Sequence, residues 1–297
     1  MLVRPAAARL PGTYDGSMPA GPFTLQLSNM PSLQETFQCT SPVALVTGSG
    51  APRVGRQIAS LLAQSGCRIA LHANDSAVEA EAAAEQLRRE CQVEVMVTQG
   101  SLADDAVAPQ LIDDVCNRFE RLDILVNSAA IWFPTPLEAV TPEEMRRYFD
   151  INTVGSFFCA RAAGMRMIDQ PQGGSIVNIG DWATVRPYLD HAAYFPSKGA
   201  IETMTRSLAV ELAARNRRIR VNCIQPGPVM FAEDVTESTK AAVAASVLTG
   251  MTGTPHHVAH AVKFLCENDF ITGVCLPVDG GRSVFAPDGL QMGLNLG

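Results

Sequence analysis

The chain has no CxxC pair, no block of basic residues and no apolar run long enough to cross a bilayer. Its eight cysteines, at 39, 67, 91, 116, 159, 223, 266 and 275, are scattered, mostly through apolar runs. That reads as reduced core thiols in a cytoplasmic protein, not as a disulfide frame or a thiolate metal site. Acidic residues number 30 against 23 basic ones, a net charge of −7, so neither nucleic acid nor an anionic membrane is an expected partner. A membrane-spanning helix needs about 18 or more continuous apolar residues, and no span is expected. His256 and His257 lack a cysteine or carboxylate at ligand spacing; a surface or helix-start role is expected for them, and no metal.

Apolar residues make up 47% of the 297, enough for the core of one large α/β domain or two small ones. Residues 1–41 stand apart. Pro5, Pro11, Pro19, Pro22 and Pro31, with Gly12, Gly16 and Gly21, interrupt any regular pattern. Arg4 and Arg9 among alanines are too poorly ordered for a secretory signal, so this segment reads as an irregular arm. From residue 42 to 284, short apolar runs alternate with longer alanine-rich ones. Strands are expected over 43–47, 68–72, 93–98, 124–127, 175–179, 220–225 and 274–278. Helices are expected over 56–65, 77–90, 109–119, 142–167 (bent near Gly155 or Gly164), 192–214 and 255–266. Strands that are apolar throughout belong to a parallel sheet covered on both faces. The fold class is therefore α/β, a doubly wound parallel sheet with helices on both faces in a single Rossmann-like domain. The Thr-, Ser- and Ala-rich stretch within 228–253 follows the sixth strand and reads as a substrate loop; residues 285–297 form a tail.

The first strand runs into TGSGAPRVG, with Gly48, Gly50 and Gly55 between the strand and a helix opening near Val54. Glycines there let a dinucleotide pyrophosphate approach the backbone and rest on the helix start. The alternative is a purely structural turn. Next to Leu71, an acidic residue would bind a ribose diol and repel a 2′-phosphate; the chain instead reads His72-Ala73-Asn74, then Asp75 and Ser76. Arg53 can serve a 2′-phosphate as a bidentate donor. NADPH is the expected cofactor, with Asp75 discordant unless it only caps a turn or helix.

Tyr194 and Lys198 stand at i and i+4, one turn apart on one helix face. A free phenol keeps its proton to about pH 10; an ammonium and an oxidised nicotinamide nearby would lower that value towards neutrality. Both lie just after the fifth strand, at the end of the sheet where ligands bind. Asp181, on the same strand end, can orient the phenol or bind an amino-pyrimidine; the alternative is a loop carboxylate starting a turn. Asn152 either holds a water that links Lys198 to solvent or kinks its helix. Trp132 and Phe133, near Pro134 and Pro136, can stack on a flat ligand or simply pack.

These motifs resemble the short-chain dehydrogenase/reductase family from about residue 43 to 281. The matching residues are Thr47-Gly48 with Gly55, Asn127-Ser128-Ala129, Asn152, Tyr194 and Lys198, Pro226-Gly227, Ile271-Thr272-Gly273 and Val278-Asp279-Gly280-Gly281. The resemblance implies that Tyr194 is the acid, Lys198 binds the nicotinamide ribose, and Asn152 maintains a proton relay. Asp181 stands where most of the family has a serine, a replacement that looks like the pteridine reductase branch. Arg53-Val54-Gly55, the stretch from Leu71, Trp132 to Leu137, Asp181-Trp182-Ala183 with Arg186-Pro187, and Gln225 to Pro228 fit that branch too. It implies a pterin clamped against Trp132, with Asp181, Tyr194, Arg53 and Pro228 on the substrate side. The cofactor side would comprise Gly48, Gly50, Arg53, Val54, Gly55, His72, Asn74, Ser76, Ser101, Leu102, Asn127, Ala129, Lys198, Pro226 and Gly227.

The chain departs from the family in three places. The glycine turn has one residue more than usual, Ser128 replaces a common asparagine, and Ser101-Leu102 stands where an Asp-Leu pair usually contacts adenine. The expected activity is NADPH-dependent reduction of a pterin-like C=N or a carbonyl. The alternatives are a 3-oxoacyl-carrier-protein or general ketone reductase, and a catalytically silent nucleotide-binding protein. The resemblance also implies a homotetramer built through the helices over 143–167 and 192–214.

Overall fold

Each expected apolar run becomes a strand, and all of them lie parallel in one sheet. The computed structural model describes residues 31–231 and 234–285. The strands are β1 (Val43–Val46), β2 (Arg68–Ala73), β3 (Val95–Gln99), β4 (Ile124–Asn127), β5 (Gly174–Ile179), β6 (Ile219–Pro226) and β7 (Cys275–Val278). Their order is β3-β2-β1-β4-β5-β6-β7. The chain winds outward from β1 in one direction and from β4 in the other. The carboxyl ends of β1 and β4 therefore flank the switch point at which open α/β sheets bind ligands. Pairing is in register on both sides, Val46 opposite Leu71 and Val126.

Helices cover both faces because βαβ crossovers take one hand. One face carries α2 (Val54–Gln64), α3 (Ala77–Cys91) and α9 (Pro255–Glu267); the other carries α4 (Val107–Phe119), α6 (Ser156–Ile168) and α7 (Tyr194–Ala213). Ile58, Leu62, Val258 and Val262 fill the first interface, and Leu111, Val115, Met167 and Leu208 the second. Each such burial contributes about 1.5–3 kcal/mol. β1, β4 and β5 are buried at every position, whereas β3 and β7, at the sheet's edges, are only partly so.

Several expectations need correction. The reading of an irregular arm to residue 41 fails for its last part. Leu33–Thr36 (α1) is a helical turn in which Ser32 and Glu35 cap each other reciprocally. Leu33 and Phe37 join the core, and Arg121 donates to the Phe37 carbonyl at 3.0 Å. The rest of the arm, residues 1–30, lies outside the described residues, as does the tail from 286 onward. The single helix over 142–167 is instead α5 (Pro142–Tyr148), a π-helical stretch (Phe149–Gly155) and α6. The stretch within 228–253 holds a regular helix, α8 (Glu237–Ala245), started by Thr236, whose side chain accepts from Thr239 N–H. The eight thiols are free, but only Cys67, Cys159, Cys223 and Cys266 are fully buried.

Candidate active site

At the end of β1 the chain must reverse into α2 in little space. Gly48 does so with φ at +63°, and a Cβ there would lie 2.6 Å from Ala129 Cα. A Cβ on Gly50 would lie 2.6 Å from that of Ala73, and one on Gly55 2.7 Å from the Gly48 carbonyl. All three glycines are thus demanded by close approach of backbone to neighbouring chain. Val54 opens α2, and Arg53 before it makes no side-chain cap. The first-turn N–H groups are left without a side-chain acceptor, which fits the seat of a pyrophosphate. Arg53 itself is exposed and makes no hydrogen bond or ion pair to Asp181 or Tyr194. Asn74 donates to the Asp75 carboxylate at 2.9 Å, and Ser76 precedes α3 without capping it. Ser101 caps its own turn through Ala103 N–H, and Leu102 is buried in the core against Gly155.

His72 departs from its expected role as a cofactor ligand. Its ring is buried; Nδ1 accepts from Gly48 N–H at 3.2 Å and Nε2 donates to the Gly100 carbonyl at 2.9 Å. Both nitrogens are occupied, so the ring ties the glycine turn to the loop after β3. Burial pushes its basicity down, consistent with a neutral linker. Arg56, which no motif indicated, clamps the same turn: its guanidinium donates to the Ser49, Gly50 and Glu79 carbonyls.

Across the switch point, Thr47 Oγ1 accepts from Ser128 N–H at 3.0 Å and Ala129 N–H at 3.1 Å, tying the ends of β1 and β4 together. Asn127 donates to the Ser156 carbonyl and the Asn178 side chain, while its buried Oδ1 lacks a partner among the described residues. Pro226 ends β6. Gly227 then packs on Asp279, where a Cβ would lie 2.5 Å from Cα, and the Pro228 carbonyl accepts from Gly253.

The chemical groups converge where β5 ends and α7 begins. Asp181 Oδ1 accepts from Ala183 N–H at 2.8 Å, and Oδ2 accepts from the Tyr194 hydroxyl at 2.7 Å. Asp181 thus caps the short turn at Trp182–Thr184 and is hydrogen-bonded by the phenol. Lys198, buried one turn along α7, donates to the Ile179 carbonyl at 2.8 Å. Burial lowers its ammonium below the usual lysine range, and the Asp181 charge opposes that shift. Tyr194 is shifted upward by the groups of the chain itself. Burial first, then the Asp181 carboxylate, push it well above an ordinary phenol. Lys198 spends its hydrogen bond on Ile179 rather than on the phenol, and the carboxylate favours the protonated hydroxyl. Tyr194 thus holds a proton and has its direction fixed.

Asn152 occupies the π-helical stretch. Its Oδ1 accepts from Ile131 N–H at 2.9 Å, and its Nδ2 donates to the Ile131 carbonyl and to Ser197 Oγ. Ser197 in turn donates to the Tyr194 carbonyl at 2.7 Å. Asn152 therefore joins the loop after β4 to the start of α7.

That loop carries Trp132, whose Nε1 donates to Tyr188 Oη at 3.0 Å and whose ring stacks on His191 with centroids 4.8 Å apart. Tyr148, buried, both accepts from Phe133 N–H and donates to its carbonyl, and sets its edge on Tyr194. Glu202 accepts from Thr184 and Gln225, each at 2.8 Å, fixing the Asp181 loop to α7 and β6. Tyr148, Tyr188, His191 and Glu202 had no motif to mark them, because loop folding brings them to the site. His257 starts α9, its Nδ1 accepting from Thr254 N–H at 3.0 Å.

Comparison with known proteins agrees with this geometry. A family model described as "Enoyl-(Acyl carrier protein) reductase" matches residues 51–283. A short-chain type dehydrogenase/reductase of Picea abies is 33% identical, covering 81% of this chain and 92% of the relative. Pteridine reductase 1 of Leishmania tarentolae is 32% identical, covering 84% and 99%. A 3-oxoacyl-[acyl-carrier-protein] reductase of Synechocystis is 31% identical, covering 83% and 98%. Identities this close do not separate one substrate class from another, but all agree on the type of enzyme. The chain belongs to the short-chain dehydrogenase/reductase family, whose members are oxidoreductases that use nicotinamide cofactors.

Proposed function

We propose that this protein is an NADPH-dependent reductase acting on a pterin-like C=N bond, with Tyr194 as the proton donor. The 2.7 Å hydrogen bond from Tyr194 to Asp181 carries the reading. A serine hydroxyl in that place could donate or accept; a carboxylate only accepts when ionised. It therefore suits a substrate edge bearing N–H groups, such as an amino-pyrimidine. When bound, the reduced nicotinamide supplies a hydride. Tyr194 gives its proton to the substrate nitrogen, Asp181 accepts from the substrate's N–H donors, and buried Lys198 offsets the charge left on the phenolate. Asn152, through Ser197, holds the start of α7 in place.

Gly48, Gly50, Val54 and Gly55 would hold the pyrophosphate, Asn74, Ser76, Ser101 and Leu102 the adenosine end, Lys198 the nicotinamide ribose, and Asn127, Ala129, Pro226 and Gly227 the ring's surroundings. Pro228 would face the substrate. NADPH is favoured over NADH because no carboxylate directly follows Leu71, Asp75 is engaged by Asn74, and Arg53 is exposed at the turn. Exposed Phe157, Met165 and Val210 on α6 and α7 suit the proposed homotetramer. The free thiols suit a cytoplasmic setting.

A carbonyl reductase acting on a 3-oxoacyl thioester is the second reading. Leu189, 87% exposed, with Val185 and Met230 offers apolar surface to an acyl chain. NADPH oxidation with dihydrobiopterin, an acetoacetyl thioester and simple ketones separates the two. Turnover of the pterin is expected. Turnover of the thioester or ketones alone would favour the second reading, and NADPH binding without turnover on any of them a silent protein.

A further inference from the structure

His191 is buried, 7% exposed, at the centre of an aromatic cluster three residues before Tyr194. Trp132 stacks on its face, while Tyr188 and Tyr194 meet it edge-on at 4.9 and 6.1 Å between centroids. Its Nδ1 lies 2.8 Å from the Leu189 carbonyl. A carbonyl only accepts, so Nδ1 carries the hydrogen and Nε2 of the neutral ring presents a lone pair. That Nε2 is buried and has no hydrogen-bond partner among the described residues. Buried polar atoms are nearly always paired, and an unpaired one costs stability. A phenyl ring would fill the same space without that cost.

We propose that His191 is a specificity-determining residue: its Nε2 accepts a hydrogen bond from an N–H or O–H group that the substrate carries beside its reacting double bond. This rests on the reductase reading above and narrows its substrate class. Asp181 and His191 then present two acceptors around the Tyr194 hydroxyl. Simple ketones and the reacting end of an oxoacyl thioester bring only acceptors to such a wall. An amino-pyrimidine, or a ring with a hydroxylated side chain, brings donors. Trp132 and Tyr188, both partly exposed and joined to each other by one hydrogen bond, pack on the His191 ring as a cover. Its opening exposes the acceptor and frees Trp132 to stack on the ligand.

The test compares wild type, His191→Phe and His191→Gln. With dihydrobiopterin, His191→Phe is expected to raise KM roughly tenfold, the cost of one lost buried hydrogen bond, while kcat stays within about twofold. His191→Gln, which keeps an acceptor, is expected to recover part of the loss. A ketone without donor groups should show no change in KM with either variant. An unchanged pterin KM, or an equal rise on both substrates, would overturn the proposal in favour of plain packing. If wild type reduces only carbonyls, the pterin reading fails by itself. The His191 contrast is then read between acetoin and butanone, and a selective KM rise for acetoin is the supporting result. Equal effects on that pair would overturn the proposal, and misfolding of His191→Phe leaves His191→Leu for the same comparison.

Discussion

The two halves of the sheet build their parts of the site in different ways. Around β1–β3, the turn is shaped by what side chains lack. Gly48, Gly50 and Gly55 make room for neighbouring chain, while His72 and Arg56 lock the backbone from behind. Around β4–β6, the site is made of side-chain bonds already formed: Tyr194 to Asp181, Lys198 to the Ile179 carbonyl, Asn152 to Ser197. The first half offers shape and backbone donors. The second is already joined by its own side-chain bonds, which in the proposed mechanism preorganises Tyr194 as the acid. Preorganisation of that kind lowers the cost of reorganising during reaction.

The sharpest way to break this contrast is Tyr194→Phe. Turnover is expected to fall about 10²- to 10⁴-fold, the usual worth of a positioned proton donor, with NADPH affinity unchanged by fluorescence titration. The same variant reports on alkaline stability. The folded-state value of Tyr194 is raised above the unfolded one near 10. Its contribution is therefore whole below about pH 10 and is lost as pH rises above it. Thermal melts should show wild type losing more stability than Tyr194→Phe over that alkaline range.

In the other half, Gly48→Ala places a side chain at φ +63° against Ala129. A loss of about 1–3 kcal/mol is expected from chemical denaturation, with cofactor affinity falling as well; an unchanged midpoint would mean that the turn is loose. The smallest effect is expected from Arg53→Ala, roughly tenfold weaker NADPH binding, about 1.4 kcal/mol, with NADH binding unaltered. Equal losses for both cofactors would remove Arg53 from 2′-phosphate recognition.

Much of this was legible in the chain, and the limits have physical causes. Apolar strands and alanine-rich helices marked the sheet because burial on both faces forces that pattern. The spacing of Asp181, Tyr194 and Lys198 marked the group that the structure brings together, because two of them share a helix face. The small helix α1 was hidden in a proline-rich stretch although Ser32 and Glu35 carry a capping-box signal. α8 was missed because Thr, Ser and Ala suit loops and exposed helices alike. Gly155 and Asn152 hinted at an irregularity in the helix over 142–167, but its π-helical form was not legible because the apolar pattern runs through Phe149–Gly155. His72 stood at the right strand end for a ligand, but its ring turned inward, and strand position alone does not set side-chain partners. Tyr188, His191 and Glu202 meet the acid through loop folding, which no local pattern encodes.

The most direct test of the preorganised acid is Asp181→Ser, measured on dihydrobiopterin and on a ketone in parallel. An oriented phenol beside an acceptor wall predicts a large fall in pterin kcat/KM, about tenfold or more for a lost charged hydrogen bond, with ketone reduction retained because serine can still assist Tyr194. Unchanged pterin reduction would contradict it, and would reduce Asp181 to the residue that starts a turn.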